Sequence, residues 1–197
     1  MNTVATRPSL SDVRRPLLTV GHGTLEAEEF ARVLHAAGAE VLIDVRTAPG
    51  SRRLPHFNQA EMKQWLPATG IGYEWERDLG GFRKTTASSP NTALRNVNFR
   101  GYADYMETPP FWAALTRVLA EAVRRKTVVM CSESLWWRCH RRLISDAAVL
   151  ARQFPVDHVM RNGTQTPHQV TEGARLTEDG LVRYDAGHAP LPMEGER

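Results

Sequence analysis

Lysine is almost absent from this 197-residue chain. Only Lys63, Lys84 and Lys126 occur, so 22 of the 25 basic residues are arginine. Cysteine is equally scarce. Cys131 and Cys139 are the only two, too few for a disulfide framework, and the reading is a reducing cytoplasm with no bond between them. No apolar run reaches the 18 residues of a membrane span, and mean hydropathy is -0.40. Residues 1–16 carry arginines but no apolar segment of the secretory type. The loops that hold nucleotides are missing too. Gly21-His22-Gly23 meets Glu26 where G-x-G-x-x-G needs its third glycine, which excludes NAD binding of the usual kind, and no P-loop motif is present. A phosphatase-type Cys-x5-Arg fails as well, since Trp137 stands six residues after Cys131.

What is present is alternation of strand and helix. Leu17–Val20 is a short apolar run ended by Gly21-His22-Gly23. Thr24 is the expected N-cap of a helix with Leu25, Phe30, Val33 and Leu34 on one face and Gly38 as its stop. Val41–Ile43 is a second strand, and strand–helix–strand within about 28 residues predicts a parallel pair. Further elements follow: a helix over 58–66, a strand over 71–75, a helix over 109–125, a strand over 127–130, a helix over 140–153 and a strand over 156–160. Short strands over 174–176 and 181–184 flank a turn at Glu178-Asp179-Gly180. The fold class is α/β: one Rossmann-like, three-layer domain over 17–185 with a mainly parallel sheet, between a flexible arm (1–16) and a tail (186–197). Segments 46–56 and 78–105 read as long loops, which in compact domains usually carry function.

In open parallel sheets ligands bind beyond the carboxyl ends of the strands. Those ends here are Gly21-His22-Gly23, Asp44-Val45-Arg46 and Cys131-Ser132-Glu133. Asp44, Cys131, Glu133, Cys139 and His140 are therefore the candidate catalytic groups. His22, Arg46, Ser51, Arg52, Gly80, Gly81, Arg100, Tyr102, Tyr105, Trp137, Arg138 and Arg141 are candidates for holding substrate.

Several of these segments carry a resemblance. Val20-Gly21-His22-Gly23-Thr24, Ile43-Asp44-Val45-Arg46, Pro49-Gly50-Ser51-Arg52, Leu79-Gly80-Gly81 and Phe99–Met106 are similar to motifs of the bacterial and archaeal family called domain of unknown function 488. So are Met130-Cys131-Ser132-Glu133 and Cys139-His140-Arg141-Arg142, in the expected order over about 17–160. The Cys-x-Glu and Cys-His-Arg pair is the most specific part. The family has no established activity, so the resemblance implies fold and site location but no reaction.

The chemistry stays open between readings. A cysteine beside arginines at a helix start can ionise early, which makes Cys131 or Cys139 a nucleophile with His140 as proton carrier. A metal held by Cys131, Cys139 and His140 is the second reading, although adjacent Cys and His at a helix start point apart and the spacing lies outside the usual zinc range. Buried cysteines acting as small hydrophobes are the third. Arg138, Arg141 and Arg142 crowd a helix N-terminus where an anion is welcome, and Trp136-Trp137 beside them has the composition of a base-stacking platform. The leading function is an enzyme binding an anionic, nucleotide- or nucleic-acid-type substrate. The alternatives are a thiol- or metal-dependent small-molecule enzyme and a non-catalytic nucleic-acid- or partner-binding module. No cofactor is identified, and no membrane partner is expected. These readings require His22, Asp44, Arg46, Cys131 and Glu133 to meet at one sheet edge, with both long loops over it.

Overall fold

The computed structural model describes residues 15–187. The expected arm and tail lie outside the described residues, apart from Arg15, Pro16, Ala186 and Gly187. Five parallel strands form the sheet: β1 (Leu17–Gly21), β2 (Val41–Asp44), β3 (Gly72–Trp75), β4 (Thr127–Cys131) and β5 (Val156–Val159). A sixth, β6 (Gln165–Pro167), closes one side antiparallel, and the order is β3-β2-β4-β1-β5-β6. Successive residues of a strand face opposite sides, so each central strand feeds two cores. Leu18, Val20, Leu42, Val128 and Met130 pack with α1 (Ala27–Ala36) and α2 (Gln59–Ala68). Leu17, Ile43, Val129 and Cys131 pack with α3 (Val97–Met106), α4 (Pro109–Arg124) and α5 (Arg141–Arg152). This is the three-layer α/β arrangement expected. A hairpin of β7 (Ala174–Leu176) and β8 (Val182–Tyr184) lies against α5 and α3, with Val182 and Tyr184 in the second core. Among the described residues no helix is long and apolar enough to cross a membrane.

Two local expectations are corrected, and one strand is added. Helix α1 starts at Ala27 rather than after Thr24. Gly23 adopts φ +54° and Leu25 N–H donates to the His22 carbonyl at 3.0 Å, so a tight turn takes residues 22–25 before the helix can begin. The segment 97–105 is helix, not loop. Phe99, Tyr102, Ala103 and Met106 repeat at helical spacing, and the Asn96 side chain caps the start by accepting from Asn98 N–H. Strand β6 is all exposed and carries no hydrophobic alternation. Its Pro167 suits an edge position.

At β1 and β4 the chain leaves the sheet for opposite faces, towards α1 and α5, which is where α/β sheets open a crevice. Gly21 and Cys131 stand side by side there, in register. A Cβ on Gly21 would fall 1.9 Å from the Glu133 carbonyl oxygen and 2.7 Å from Arg141 Nη2. Gly21→Ala is therefore expected to lower stability by about 2–3 kcal/mol or more. Gly50→Ala, whose Cβ meets only Asn58 Oδ1 at 3.9 Å, should stay within about 0.5 kcal/mol of wild type. Urea unfolding midpoints of the two variants check the contrast.

Candidate functional site

Asp44 ends β2 fully buried. Its Oδ1 accepts from Arg46 N–H (3.0 Å) and Nε–H (2.9 Å), and its Oδ2 from Arg46 Nη2 and the Tyr73 hydroxyl (2.8 Å). Burial and the Asp44 charge raise the Tyr73 phenol far above its ordinary range, so it stays a donor. Arg46 Nη2 also donates to the Phe57 carbonyl at 2.8 Å, and Nη1 lies 3.4 Å from His22 Nε2. A buried ion pair of this kind must be fully hydrogen-bonded to offset its desolvation. Here both charges are satisfied internally, which makes Asp44 and Arg46 an anchor rather than a free acid and a free clamp.

His22 directly follows β1 and lies against Phe57, ring on ring at 3.9 Å. With its proton on Nδ1 it donates to the Gly23 carbonyl (3.0 Å) and turns its Nε2 lone pair to Arg46. Burial and the Arg46 charge hold it down at about 4.

The second assembly forms where β4 meets the loop before α5. Cys139 is extended (φ -122°, ψ 151°) and His140 is helical (φ -61°, ψ -15°). That change of direction between neighbours turns both side chains towards Cys131, which corrects the expectation that they point apart. His140 Nδ1 lies 3.7 Å from Cys139 Sγ and 3.9 Å from Cys131 Sγ. Its Nε2–H donates to the Val45 carbonyl at 3.1 Å, which turns Nδ1 to the two sulfurs. Arg141, 1% exposed, donates from Nε to Cys139 Sγ (3.4 Å), from Nη1 to Thr19 Oγ1 (3.4 Å) and from Nη2 to the Glu133 carbonyl.

The thiols separate in acidity. For Cys139 burial opposes ionisation, but the hydrogen bond from Cys131 and the Arg141 guanidinium outweigh it and bring the thiol down to about 6. The Cys131 thiol, donating to Cys139 and buried, is pushed up to about 12. Both cysteines are free. Among the described residues, Cys131, Cys139 and His140 form the one group of ligand atoms close enough to share an ion, all within 4.8 Å of one another.

The other expected residues divide. Gly81 packs on the His140 ring, where a Cβ would stand 3.0 Å from Nδ1, and the Thr47 hydroxyl donates to its carbonyl at 2.6 Å. A Cβ on Gly80 would meet Thr47 Oγ1 at 2.7 Å. The starts of both long segments thus reach the site. Tyr102 stands beside His140, ring centroids 5.1 Å apart, but its hydroxyl donates to the Leu79 carbonyl. Tyr105 takes Arg83 over its ring at 3.8 Å. Arg100 donates to the Leu94 carbonyl, the Glu133 carboxylate accepts from Leu135 N–H, and the Ser51 hydroxyl accepts from Leu54 N–H. These are local braces. Arg52, Arg138 and Trp137 are exposed, while Trp136 is stacked on His158 at 4.0 Å and is not part of an open platform. Thr19, Val45, Thr47 and His158 were not singled out from the sequence. Val45 and Thr47 flank Arg46 in the loop after β2, which is a positional signal, whereas Thr19 and His158 lie inside β1 and β5 with no candidate residue next to them.

The match to a family model covers residues 26–148, described as domain of unknown function DUF488. The chain belongs to that family. The matched range is narrower than the 17–160 of the motif resemblance. It includes Asp44, Arg46, Gly81, Cys131, Cys139 and His140, and leaves out Thr19, His22 and His158. No curated protein and no solved structure matches the chain.

The His22 environment gives a pH signature. The unfolded His22 titrates near 6.5 and the folded one near 4. Between those values the unfolded chain binds the extra proton, so stability present above about pH 6.5 falls as the pH drops towards 4. His22→Gln is expected to flatten this slope in urea unfolding at graded pH. His158, held at about 3, leaves a residual slope of the same sign. An unchanged slope would place the proton uptake elsewhere.

Proposed function

We propose that this chain is a thiol-dependent enzyme in which the Cys139 sulfur is the nucleophile. The observation that carries the reading is the convergence of a Cys139 thiolate, a Cys131 thiol and His140 Nδ1, with His140 in turn oriented by the Val45 carbonyl. Nucleophile, base and a third group that aims the base are the parts covalent catalysis needs. Cys139 Sγ forms the bond to an electrophilic centre of the substrate, and the leaving group departs with its electron pair and takes the Cys131 proton. A water then returns one proton to Cys131 through His140 while its hydroxide attacks the same centre, which breaks the bond to Cys139 and releases that sulfur as the thiolate together with the hydrolysed product. Cys139 and Cys131 are 4% and 7% exposed, which suits a small molecule and argues against a bulky polymer at the sulfur. Arg46 and Arg141 have their donors engaged within the fold. The negative charge that the arginine content suggests for the substrate is left to the exposed Arg52 and Arg138. The bases for an anionic substrate are therefore thinner than those for the thiol chemistry.

Iodoacetamide labelling against pH, read site by site by mass spectrometry, tests the proposal. Cys139 should react with a midpoint near 6, well under the ordinary thiol value of about 8.5, and Cys131 should stay unlabelled across neutral pH. Cys131→Ala removes the thiol that donates to Cys139 and should raise the midpoint by about one pH unit. A wild-type midpoint near 8.5 overturns the reading. So does a stoichiometric transition metal that shields both thiols until it is stripped, which would reassign the three side chains as a metal centre.

A further inference from the structure

Behind the cysteines runs a second set of polar groups that the proposed chemistry does not use. Thr19, Asp146, His158 and His168 are buried in the fold, His158 1% and Asp146 0% exposed. Their hydrogen bonds form one continuous chain. His168 Nε2 lies 2.9 Å from Asp146 Oδ1, His168 Nδ1 lies 2.9 Å from His158 Nε2, and His158 Nδ1 lies 2.7 Å from Thr19 Oγ1. Thr19 Oγ1 then accepts from Arg141 Nη1 at 3.4 Å.

The ends fix the direction. Arg141 can only donate and an ionised Asp146 can only accept. With one proton on each imidazole a single arrangement satisfies every atom: Arg141 donates to Thr19, Thr19 to His158 Nδ1, His158 Nε2–H to His168, and His168 Nε2–H to Asp146. Asp146 is held at the far end by the Thr171 hydroxyl (2.6 Å), Thr171 N–H (2.8 Å) and the Tyr184 hydroxyl (2.9 Å). Trp136, stacked on His158, fixes that ring from the side.

Burying such a chain is costly unless every member is satisfied, and an apolar core of equal volume would hold the fold as well or better. What an apolar core could not do is orient a guanidinium. Thr19 fixes Nη1 and the Glu133 carbonyl fixes Nη2, which leaves Nε–H directed at the Cys139 sulfur. We infer that the Asp146–His168–His158–Thr19 chain aims Arg141 at Cys139, so that Thr19, His158 and His168 are positioning residues of the reaction centre. The inference rests on the reading of Cys139 as the nucleophile.

Thr19→Val tests it, because valine keeps the shape and removes the hydroxyl that links Arg141 to His158. The readout is the rate of Cys139 labelling by iodoacetamide at pH 7 in chelator-treated full-length protein, with the urea midpoint followed in parallel. Thr19→Val should label Cys139 about three- to tenfold more slowly, and Thr19→Ser, which restores the hydroxyl, should return most of the rate. A hydroxyl that only supported the fold would give the opposite sign, since loosening a buried site exposes its thiol. Labelling at the wild-type rate or faster overturns the inference. If Thr19→Val does not fold, His168→Gln serves: it keeps a donor to Asp146 and drops the link to His158, and the same slowing is expected. The two readings fail separately. A wild-type midpoint near 8.5 removes the nucleophile and this inference with it, whereas a midpoint near 6 with unslowed variants removes the inference alone.

Discussion

A buried guanidinium organises this molecule. Arg141 opens α5 yet lies inside the fold, between β1, the loop after β4 and the Cys139 sulfur. Taking an isolated cation out of water costs several kcal/mol, so each donor must meet a fixed acceptor, and those acceptors come from three different parts of the chain. The Glu133 carbonyl can serve only if the loop after β4 bends back over β1. That path in turn forbids a side chain at Gly21, whose Cβ would occupy the same space. The cation that places the loop also places Cys139. Packing and site geometry are therefore one constraint rather than two.

A second arginine does the same for the other half of the sheet edge. Arg46 reaches back to Asp44 on β2, to the Phe57 carbonyl ahead of α2 and to His22 after β1. The two guanidiniums show where part of the arginine content is used inside the fold. Their planar, multi-donor heads suit joining several loop carbonyls and carboxylates at once, and a donor so used is not available to a ligand. Arg100 on Leu94 and Arg175 on Asp185 follow the same pattern at the periphery.

The sequence is legible where one physical signal dominates. Buried parallel strands read as apolar runs, and Val41–Ile43 and Thr127–Met130 were placed to within a residue. The polar ends of those strands pointed to the edge where His22, Asp44, Arg46 and Cys131 lie. Signals in competition were not legible. The Phe99–Met106 stripe was hidden by the preceding asparagines and by Gly101, which is there because the backbone of residues 83–85 passes where its Cβ would be. Strand β6 has no buried face to betray it. Nor could composition reveal that Arg141 points inward, because its partners Thr19 and Glu133 are set by tertiary path rather than local spacing.

The adjacency of Cys139 and His140 shows how local geometry can reverse a sequence argument. Two neighbours within a regular helix diverge by about 100° around its axis, and on that basis they could not serve one centre. The helix does not begin at Cys139, however. The single turn of 3-10 helix over Trp136–Arg138 delivers an extended Cys139, and helical dihedrals start only at His140. The backbone thus changes from extended to helical between the two residues, and both side chains fall on the β4 side. Val45, in the loop after β2, then captures the far nitrogen of His140, while Gly81 closes over the ring without a Cβ to obstruct it. Strand β4, the α5 entry and the loops after β2 and β3 each supply one part of an arrangement that none of them specifies alone.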